Sequence, residues 1–229
     1  MPAALQAVTF DLWQTLMLDG REQGQRRAEL RAERMHEVLC RAGLELTRRD
    51  IEEALHDIWR RWQEHYWDRQ VDPGFQAQLR WLSERLGVPP GDAQLQAELE
   101  AAYVEPIFAS PPRLEPEAIP VLTELQARGL KLGLICNTSV TPGSALRRLL
   151  AGWDLDRLLG VMLFSDETGV RKPAPEIFRL AAQRLGVELP AMLHVGDRPD
   201  IDVQGAISAG AQALLVGPEA PLSQLVAKV

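Results

Sequence analysis

The sequence has few cysteines and no long hydrophobic run. Its two cysteines, Cys40 and Cys136, are far apart in a chain of 229 residues. Two distant thiols do not make the disulfide framework of a secreted domain, so both are predicted to be free in a reducing compartment. No apolar stretch approaches the roughly 18 residues that span a bilayer, and the first residues lack the basic start and apolar run of a secretory signal. These absences favour a soluble, cytoplasmic protein.

A strong charge of one sign is also missing. The formal net charge of −7 is moderate and is spread along the chain. It therefore gives no electrostatic reason to expect nucleic acid or an anionic membrane as a partner. The hydrophobic share of 46% is ordinary for a globular protein with one large core, or one core plus a smaller module. The sequence leaves the oligomeric state open.

The first part of the chain changes from a strand pattern to a helical pattern. The apolar run Ala7–Phe10, which ends at Asp11, predicts a buried strand. Residues 21–108 then show helical periodicity, predicted to form four helices broken at Gly43, at residues 72–74 and at residues 87–91. Thr47 with Asp50 three residues later resembles a capping box that starts the second helix. The helical block is predicted to end at Ser110-Pro111-Pro112, a stiff extended linker.

Beyond this linker, strands and helices alternate. Strands are predicted at about 131–136, 161–164, 191–195 and 211–216, and helices at about 116–128, 142–150, 175–185 and 201–209. Alternation of this kind predicts an α/β protein whose parallel sheet is covered on both faces. If residues 7–10 join that sheet, the helical block is an insertion above the carboxyl edge, where open α/β sheets bind ligands. The predicted domains are a core of residues 1–16 and 113–229 and an inserted helical lid of residues 17–112.

Chemically capable residues follow several of the predicted elements. Asp11, Cys136-Asn137-Thr138, Lys172 and Asp197 each lie at or just after the carboxyl end of an element of the sheet region. Each has an ordinary alternative, since an aspartate after a strand often caps a turn and a lysine in a loop is usually solvated. Their common position predicts that they meet in one cleft.

Four segments carry a resemblance to a known family: Phe10–Leu16 (FDLWQTL), Leu134–Thr138 (LICNT), Gly169–Phe178 (GVRKPAPEIF) and His194–Asp202 (HVGDRPDID). They resemble the four motifs of the haloacid dehalogenase superfamily, the last two being the most specific. The position of the helical insertion is similar to that of the family's helical cap. The resemblance implies a Rossmann-like core, a hydrolase, a small-molecule substrate and a Mg²⁺ cofactor.

The resemblance also implies the roles of individual residues. Asp11 would be the covalent nucleophile, and Lys172 would supply counter-charge beside an anionic substrate. Mg²⁺ would be held by Asp11, Asp197 and the main-chain carbonyl of Trp13, with Asp202 acting on the ion through water.

Further residues are predicted to shape the site. Thr15 is expected to hydrogen-bond the nucleophile, and Asn137 or Thr138 to bind a transferring oxygen, with an ordinary turn role as the alternative for each. Trp13 is expected to intrude into the substrate site. Cys136 stands where the family usually has Ser or Thr, and a thiol is a much weaker hydrogen-bond donor, which weakens phosphate binding there.

Trp13 is the main departure from the family pattern. Phosphatases of the superfamily carry an aspartate at this position that protonates the leaving group and then activates water. Loss of such a group typically costs on the order of 10² to 10⁴ in rate, so the sequence predicts a slow phosphatase acting on a small phosphorylated metabolite.

Three alternatives follow from this departure. Haloacid dehalogenases have an aromatic residue at this position and lack magnesium, but Asp197 and Asp202 retain the acidic metal-binding pattern. Phosphonate hydrolases need a cap lysine, and the only lysines are Lys131, Lys172 and Lys228, so this chemistry is excluded. The last alternative is a regulatory protein that binds phosphate and metal without turnover.

Overall fold

The computed structural model describes residues 4–229. The strands are Ala7–Phe10 (β1), Met17–Leu18 (β2), Arg113–Leu114 (β3), Lys131–Cys136 (β4), Val161–Phe164 (β5), Met192–Gly196 (β6) and Gln212–Leu215 (β7). The helices are Arg21–Arg41 (α1), Arg48–His65 (α2), Phe75–Arg85 (α3), Ala93–Val104 (α4), Pro106–Ala109 (α5), Ala118–Ala127 (α6), Gly143–Ala151 (α7), Ser165–Thr168 (α8), Pro175–Leu185 (α9), Gln204–Ala209 (α10) and Gln224–Lys228 (α11).

Five parallel strands form the central sheet in the order β5-β4-β1-β6-β7. All four residues of β1 are buried because side chains on both faces of this central strand pack against other elements. Val8 and Phe10 belong to a core cluster that continues into the helices α1–α4, whereas Ala7 packs with residues of α9. The predicted α/β fold with a parallel sheet is confirmed. β1, β4 and β5 match their predicted bounds, while β6 begins one residue later and β7 is shorter.

The helices α1–α5, residues 21–109, form a helical region between β2 and β3. Its predicted capping box is confirmed: Thr47 N donates to Asp50 Oδ2 (2.7 Å), and Asp50 N donates to Thr47 Oγ1 (3.2 Å). The predicted number of four helices was too low, because Pro106 starts a separate one-turn helix, α5, after α4. No helix within residues 4–229 has the length and apolarity needed to cross a membrane.

A second, two-stranded sheet was missed by the sequence analysis. β2 pairs with β3 in antiparallel register, Met17 opposite Leu114 and Leu18 opposite Arg113. Strands of this length carry no periodic pattern, so nothing in the local sequence indicates them. The pairing joins the point where the chain leaves the core to the point where it returns, beside the loop that carries Asp11.

The helix after β6 begins earlier than predicted and in a different form. Residues Pro199–Val203 make a π-helical turn, which precedes α10. The N–H of Asp202 donates to the carbonyl of Arg198 (2.9 Å), so the chain turns back over the end of β6. Asp202 thereby packs on Gly196, where an added Cβ would lie 2.3 Å from Asp202 Cγ.

Candidate active site

The carboxyl edge of the sheet brings two predicted acidic residues together. Asp11 directly follows β1, and its N–H donates to the carbonyl of Val195 in β6 (2.8 Å). Asp197 directly follows β6. Because β1 and β6 are adjacent parallel strands, both carboxylates lie at the same edge.

Lys172 joins two of the carboxylates. Its Nζ atom lies 2.6 Å from Asp11 Oδ1 and 2.7 Å from Asp202 Oδ1, and the side chain is buried. A buried ammonium group needs such partners, since removing it from water without them is costly. The predicted meeting of Asp11, Lys172 and the acidic motif after β6 is therefore present in the structure.

The charges in this cluster do not balance. Burial raises the pKa of Asp11 to about 7, although Lys172 acts in the opposite direction. Burial also acts to raise the pKa of Asp202, but the charge of Lys172 and a hydrogen bond from His194 outweigh it and hold that pKa well below its usual range. Burial and the charge of Asp202 raise the pKa of Asp197. A single ammonium group thus serves three carboxyl groups, and a further cation would stabilise all three as carboxylates.

The oxygen atoms are suitably placed for such a cation. One carboxylate oxygen from each of Asp11, Asp197 and Asp202 lies within 4.8 Å of the others. The main-chain carbonyl of Trp13 accepts no hydrogen bond from residues 4–229 and is free to act as a further ligand. A donor set made only of oxygen atoms suits Mg²⁺.

Asp202 is held by the protein through both of its oxygens. Oδ1 contacts Lys172 and lies 3.3 Å from Nε2 of His194, and Oδ2 accepts from the N–H of Arg198 (3.0 Å). Such saturation favours a role for Asp202 in orienting the site over direct coordination of a metal.

His194 was not assigned a role from the sequence. It is buried in β6, and burial lowers its pKa to about 4, so the ring is neutral. Nδ1 lies 3.0 Å from Thr9 Oγ1. If Thr9 donates to Nδ1, Nε2–H donates to Asp202, and the chain of bonds Thr9–His194–Asp202–Lys172 fixes the lysine.

Asn137 is the predicted motif residue most directly tied to this cluster. Its Nδ2 donates to the carbonyl of Lys172 (2.9 Å), and its Oδ1 accepts from the N–H of the same residue (2.8 Å). The side chain therefore fixes the backbone that carries the ammonium group.

The other predicted site residues are placed differently. Thr15 is buried, and its hydroxyl makes no hydrogen bond with residues 4–229, so the expected bond to Asp11 is not formed. Cys136 is fully buried, and burial raises the pKa of its thiol well above the usual value. The hydroxyl of Thr138 bonds to Asp72 (3.3 Å) and Ser165 (3.0 Å).

Asp72 connects the helical region to the core. From the sequence, it was expected only to be part of a helix break. Its buried Oδ2 accepts from Ser165 Oγ (2.7 Å) and lies 3.1 Å from Arg171 Nη1. The Arg171 guanidinium also lies over the ring of Trp67 (4.6 Å). No local pattern indicates these contacts, because the partners are distant along the chain. Arg171 directly precedes Lys172, so this network supports the same backbone.

A cavity of about 690 Å³ lies between the helical region and the carboxyl edge. Trp13 and Asn137 line it from the core, and Arg31, His56 and Trp59 line it from α1 and α2. The predicted intrusion of Trp13 thus corresponds to a wall of this cavity. Its volume is in the range of small-molecule sites.

Asp11 is not itself part of this wall and is only 7% exposed. Thr15 and Asp197 line a second cavity of about 590 Å³. Of the acidic cluster, Asp197 therefore borders the second cavity, whereas Asp11 and Asp202 line neither cavity.

Comparison with known proteins assigns the family. Over residues 5–210 the sequence matches the family model described as haloacid dehalogenase-like hydrolase. The chain belongs to this family. Among the members of the family, the glyceraldehyde 3-phosphate phosphatase of Methanopyrus kandleri is 33% identical over 213 residues, which span 90% of this chain and 81% of the relative. The phosphoserine phosphatase of Thermus thermophilus is 34% identical over 161 residues, which span 67% of this chain and only 63% of the relative.

Structural similarity extends to the dehalogenase branch. The 2-haloacid dehalogenase from Pseudomonas syringae pv. tomato DC3000 superposes with a TM-score of 0.67 at 26% identity, covering 94% of this chain and 87% of that chain. The haloacid dehalogenase-like family thus contains both phosphatase and dehalogenase relatives of this protein. The chain is therefore a hydrolase of this family.

Proposed function

We propose that the protein is a Mg²⁺-dependent phosphatase that uses Asp11 as a covalent nucleophile on a small phosphorylated metabolite. The observation that carries this proposal is the contact of Lys172 Nζ with Asp11 and Asp202, beside Asp197. A metal-dependent phosphatase needs an ionised carboxylate next to positive charge, since both the nucleophile and the substrate are anions.

Asp11 would attack through Oδ2, because Lys172 occupies Oδ1. The bond from Oδ2 to phosphorus forms as the bond from phosphorus to the ester oxygen breaks, which gives an aspartyl-phosphate and an alkoxide. Water then hydrolyses the aspartyl-phosphate to phosphate and regenerates the carboxylate. Mg²⁺, held by Asp11, Asp197 and the Trp13 carbonyl, would supply charge stabilisation to the phosphoryl oxygens.

Trp13 supplies no proton to the leaving group, so this proton comes from solvent. We therefore expect turnover to be slower by on the order of 10² to 10⁴ than with a carboxyl group at this position. The Trp13→Asp variant should show increased phosphate release if the missing acid and base group is the principal defect.

The helical region is proposed to act as the cap that closes over the substrate. Its residues Arg31, His56 and Trp59 line the same cavity as Trp13 and Asn137 of the core. For the domains we propose bounds of 1–16 with 113–229 for the core and 17–112 for the cap, with the β2–β3 pair spanning the boundary between them. We place the reaction in the cytoplasm, since a phosphorylated metabolite and two unpaired thiols are typical of that compartment.

A phosphate-release assay over a panel of phosphorylated metabolites, with Mg²⁺ or with a chelator, tests the proposal. Release that requires Mg²⁺ and is abolished in Asp11→Asn supports it. The matched control is Asp200→Asn, because Asp200 is exposed and pairs only with the side chain of Arg198. Activity that persists in Asp11→Asn would contradict the assignment of the nucleophile.

Dehalogenation of a small 2-haloacid is the second candidate, favoured by the aromatic Trp13 in the cavity wall and by the likeness to the Pseudomonas enzyme. Halide departs without a proton, so that reaction does not need an acid group at the position of Trp13. This candidate predicts chloride release from 2-chloropropionate in the presence of a chelator, and absence of release removes it.

A protein that binds phosphate and metal without turnover is the remaining alternative. It predicts that Mg²⁺ and inorganic phosphate together raise the melting temperature while no substrate of the panel is hydrolysed. Hydrolysis of any panel member at a rate that depends on Asp11 excludes it.

A further inference from the structure

The cavity beside Trp13 and Asn137 contains several charged groups, and nearly all of them are neutralised by the protein. Each of the following pairs joins a lining residue to an opposite charge: Asp19 with Arg27, Glu29 with Arg26 (3.6 Å), and Glu52 with Arg48 (2.9 Å). These pairs leave little net charge to attract a ligand.

Arg31 is the exception among the charged lining residues that the structure describes. It lies in α1, is 6% exposed, and has no carboxylate within ion-pair distance in residues 4–229. Its Nε donates to the main-chain carbonyl of Tyr103 (2.7 Å), and its guanidinium carbon lies 4.9 Å from the centre of the Tyr103 ring. These contacts hold the side chain in place but leave its charge without a counter-ion.

The two terminal nitrogens of Arg31 have no partner within residues 4–229. Yet they are not among the polar atoms enclosed from solvent. Since Arg31 lines the cavity, the cavity is where these atoms are reached. The guanidinium therefore offers two parallel N–H donors, the geometry that binds a carboxylate in a bidentate manner.

An unpaired and largely buried charge is costly, and an anion bound in the cavity would reduce this cost. Burial lowers the pKa of Arg31, as expected for a cation deprived of water, but an arginine remains protonated. The same cavity is lined from the core by Trp13 and by Asn137, whose side chain bonds to the backbone of Lys172. The reacting phosphate would thus be bound at the core side of the cavity and a second anionic group at Arg31 of α1.

We propose that Arg31 binds a carboxylate of the substrate, so that the preferred substrates are small phosphorylated carboxylic acids. The inference rests on the proposed phosphatase function for the position of the phosphate. The binding of a carboxylate by Arg31 can be tested separately from hydrolysis.

The kinetic test compares two substrates that differ at one carbon: 3-phosphoglycerate, which has a carboxylate, and glyceraldehyde 3-phosphate, which has an aldehyde. We expect wild-type protein to favour the acid in kcat/KM, and Arg31→Gln to reduce this preference about 10- to 100-fold through KM for the acid, as for loss of a charge-assisted hydrogen bond. Arg31→Lys should retain part of the preference. Arg34→Gln, on the same helix but outside the cavity wall, is the matched control.

The outcomes separate the possible roles of Arg31. Equal loss on both substrates would overturn the proposal, because it would indicate contact with the transferring phosphate or a purely structural role. If Arg31→Gln does not fold, the test uses the wild-type protein alone. Equal kcat/KM values for the acid and the aldehyde would then overturn the proposal.

A binding experiment keeps the test independent of turnover. Calorimetry on the Asp11→Asn protein compares 3-phosphoglycerate with glycerol 3-phosphate. Tighter binding of the acid that is lost on adding Arg31→Gln supports the carboxylate site even if the protein hydrolyses neither ligand. Equal affinity for the two ligands contradicts it.

Discussion

The Nζ atom of Lys172 lies 2.6 Å from Oδ1 of Asp11, in a cluster that also contains the carboxyl groups of Asp202 and Asp197. Lys172 is the only cation that the protein places in contact with Asp11 within residues 4–229. We therefore expect the lysine to affect both the stability of this cluster and the gain in stability when Mg²⁺ binds there.

Replacing Lys172 by Met should destabilise the protein by about 3–5 kcal/mol, the range for breaking a buried ion pair on one side. The reason is that the buried carboxyl groups lose their counter-charge. Chemical denaturation without metal measures the effect, and added Mg²⁺ should raise the melting temperature more in the variant than in the wild type. Lys131→Met is the control, because Lys131 contacts only carbonyl groups. An unchanged free energy of unfolding would refute this account.

His194 should influence the proposed Mg²⁺ site through Asp202. Replacing His194 by Phe removes the Nε2–H that holds Asp202 Oδ1, and loss of such outer contacts typically weakens metal binding 10- to 100-fold. Titration of the reaction rate with Mg²⁺ measures this as a higher half-saturating concentration. Thr9→Val removes only the bond on the other ring nitrogen, and we expect a smaller effect. A half-saturating concentration that does not change in His194→Phe would argue against the positioning role.

Asp72 should stabilise the contact between the helical region and the core. Replacing Asp72 by Asn leaves Arg171 without its buried partner, and we expect a loss of about 3–5 kcal/mol in the free energy of unfolding. Asp57→Asn is the matched control, because Asp57 pairs with Arg60 and Arg85 at the surface, where such pairs contribute about 0–1 kcal/mol. Equal effects of the two substitutions would contradict a special role for the buried pair.

Gly196 should tolerate no side chain. A Cβ at this position would lie 2.3 Å from Asp202 Cγ, and the carboxylate cannot move away without losing Lys172 and the N–H of Arg198. We expect Gly196→Ala to cost about 1–3 kcal/mol of stability, as for other overpacked sites, and to weaken Mg²⁺ binding. Gly217→Ala is the control, since a Cβ there meets no atom within 4 Å. A Gly196→Ala protein as stable as the wild type would show that Asp202 has room to shift.

The fold could be predicted largely from local patterns. Runs of buried apolar residues marked β1, β4 and β5 at their observed bounds, and Thr47 with Asp50 marked the start of α2. The β2–β3 pair could not be predicted, because its strands are too short to carry a period and exist only where two distant segments meet. The π-helical turn that places Asp202 was also missed, since a helical pattern does not distinguish α from π geometry.

The candidate site could be predicted in part. The meeting of Asp11, Lys172 and the acidic residues after β6 followed from their positions at strand ends. Thr138 was predicted to bind substrate, but its hydroxyl bonds to Asp72 and Ser165. Arg31 was not singled out, although it precedes Met35 and Leu39 at intervals of four residues and so lies in line with the apolar face of α1. A charged residue on such a face was a signal that could have been noticed.

The alternation of strands and helices and the chemistry of the strand ends follow from residue type and periodicity, because both act locally. Which charges are paired and which are not depends on how the chain folds in three dimensions. Lys172 pairs with Asp11 and Asp202, Asp72 pairs with Arg171, and Arg31 is left without a carboxylate. These differences depend on distances of a few ångströms between segments far apart in the chain and on the exclusion of water around them, and neither quantity is encoded in any local pattern.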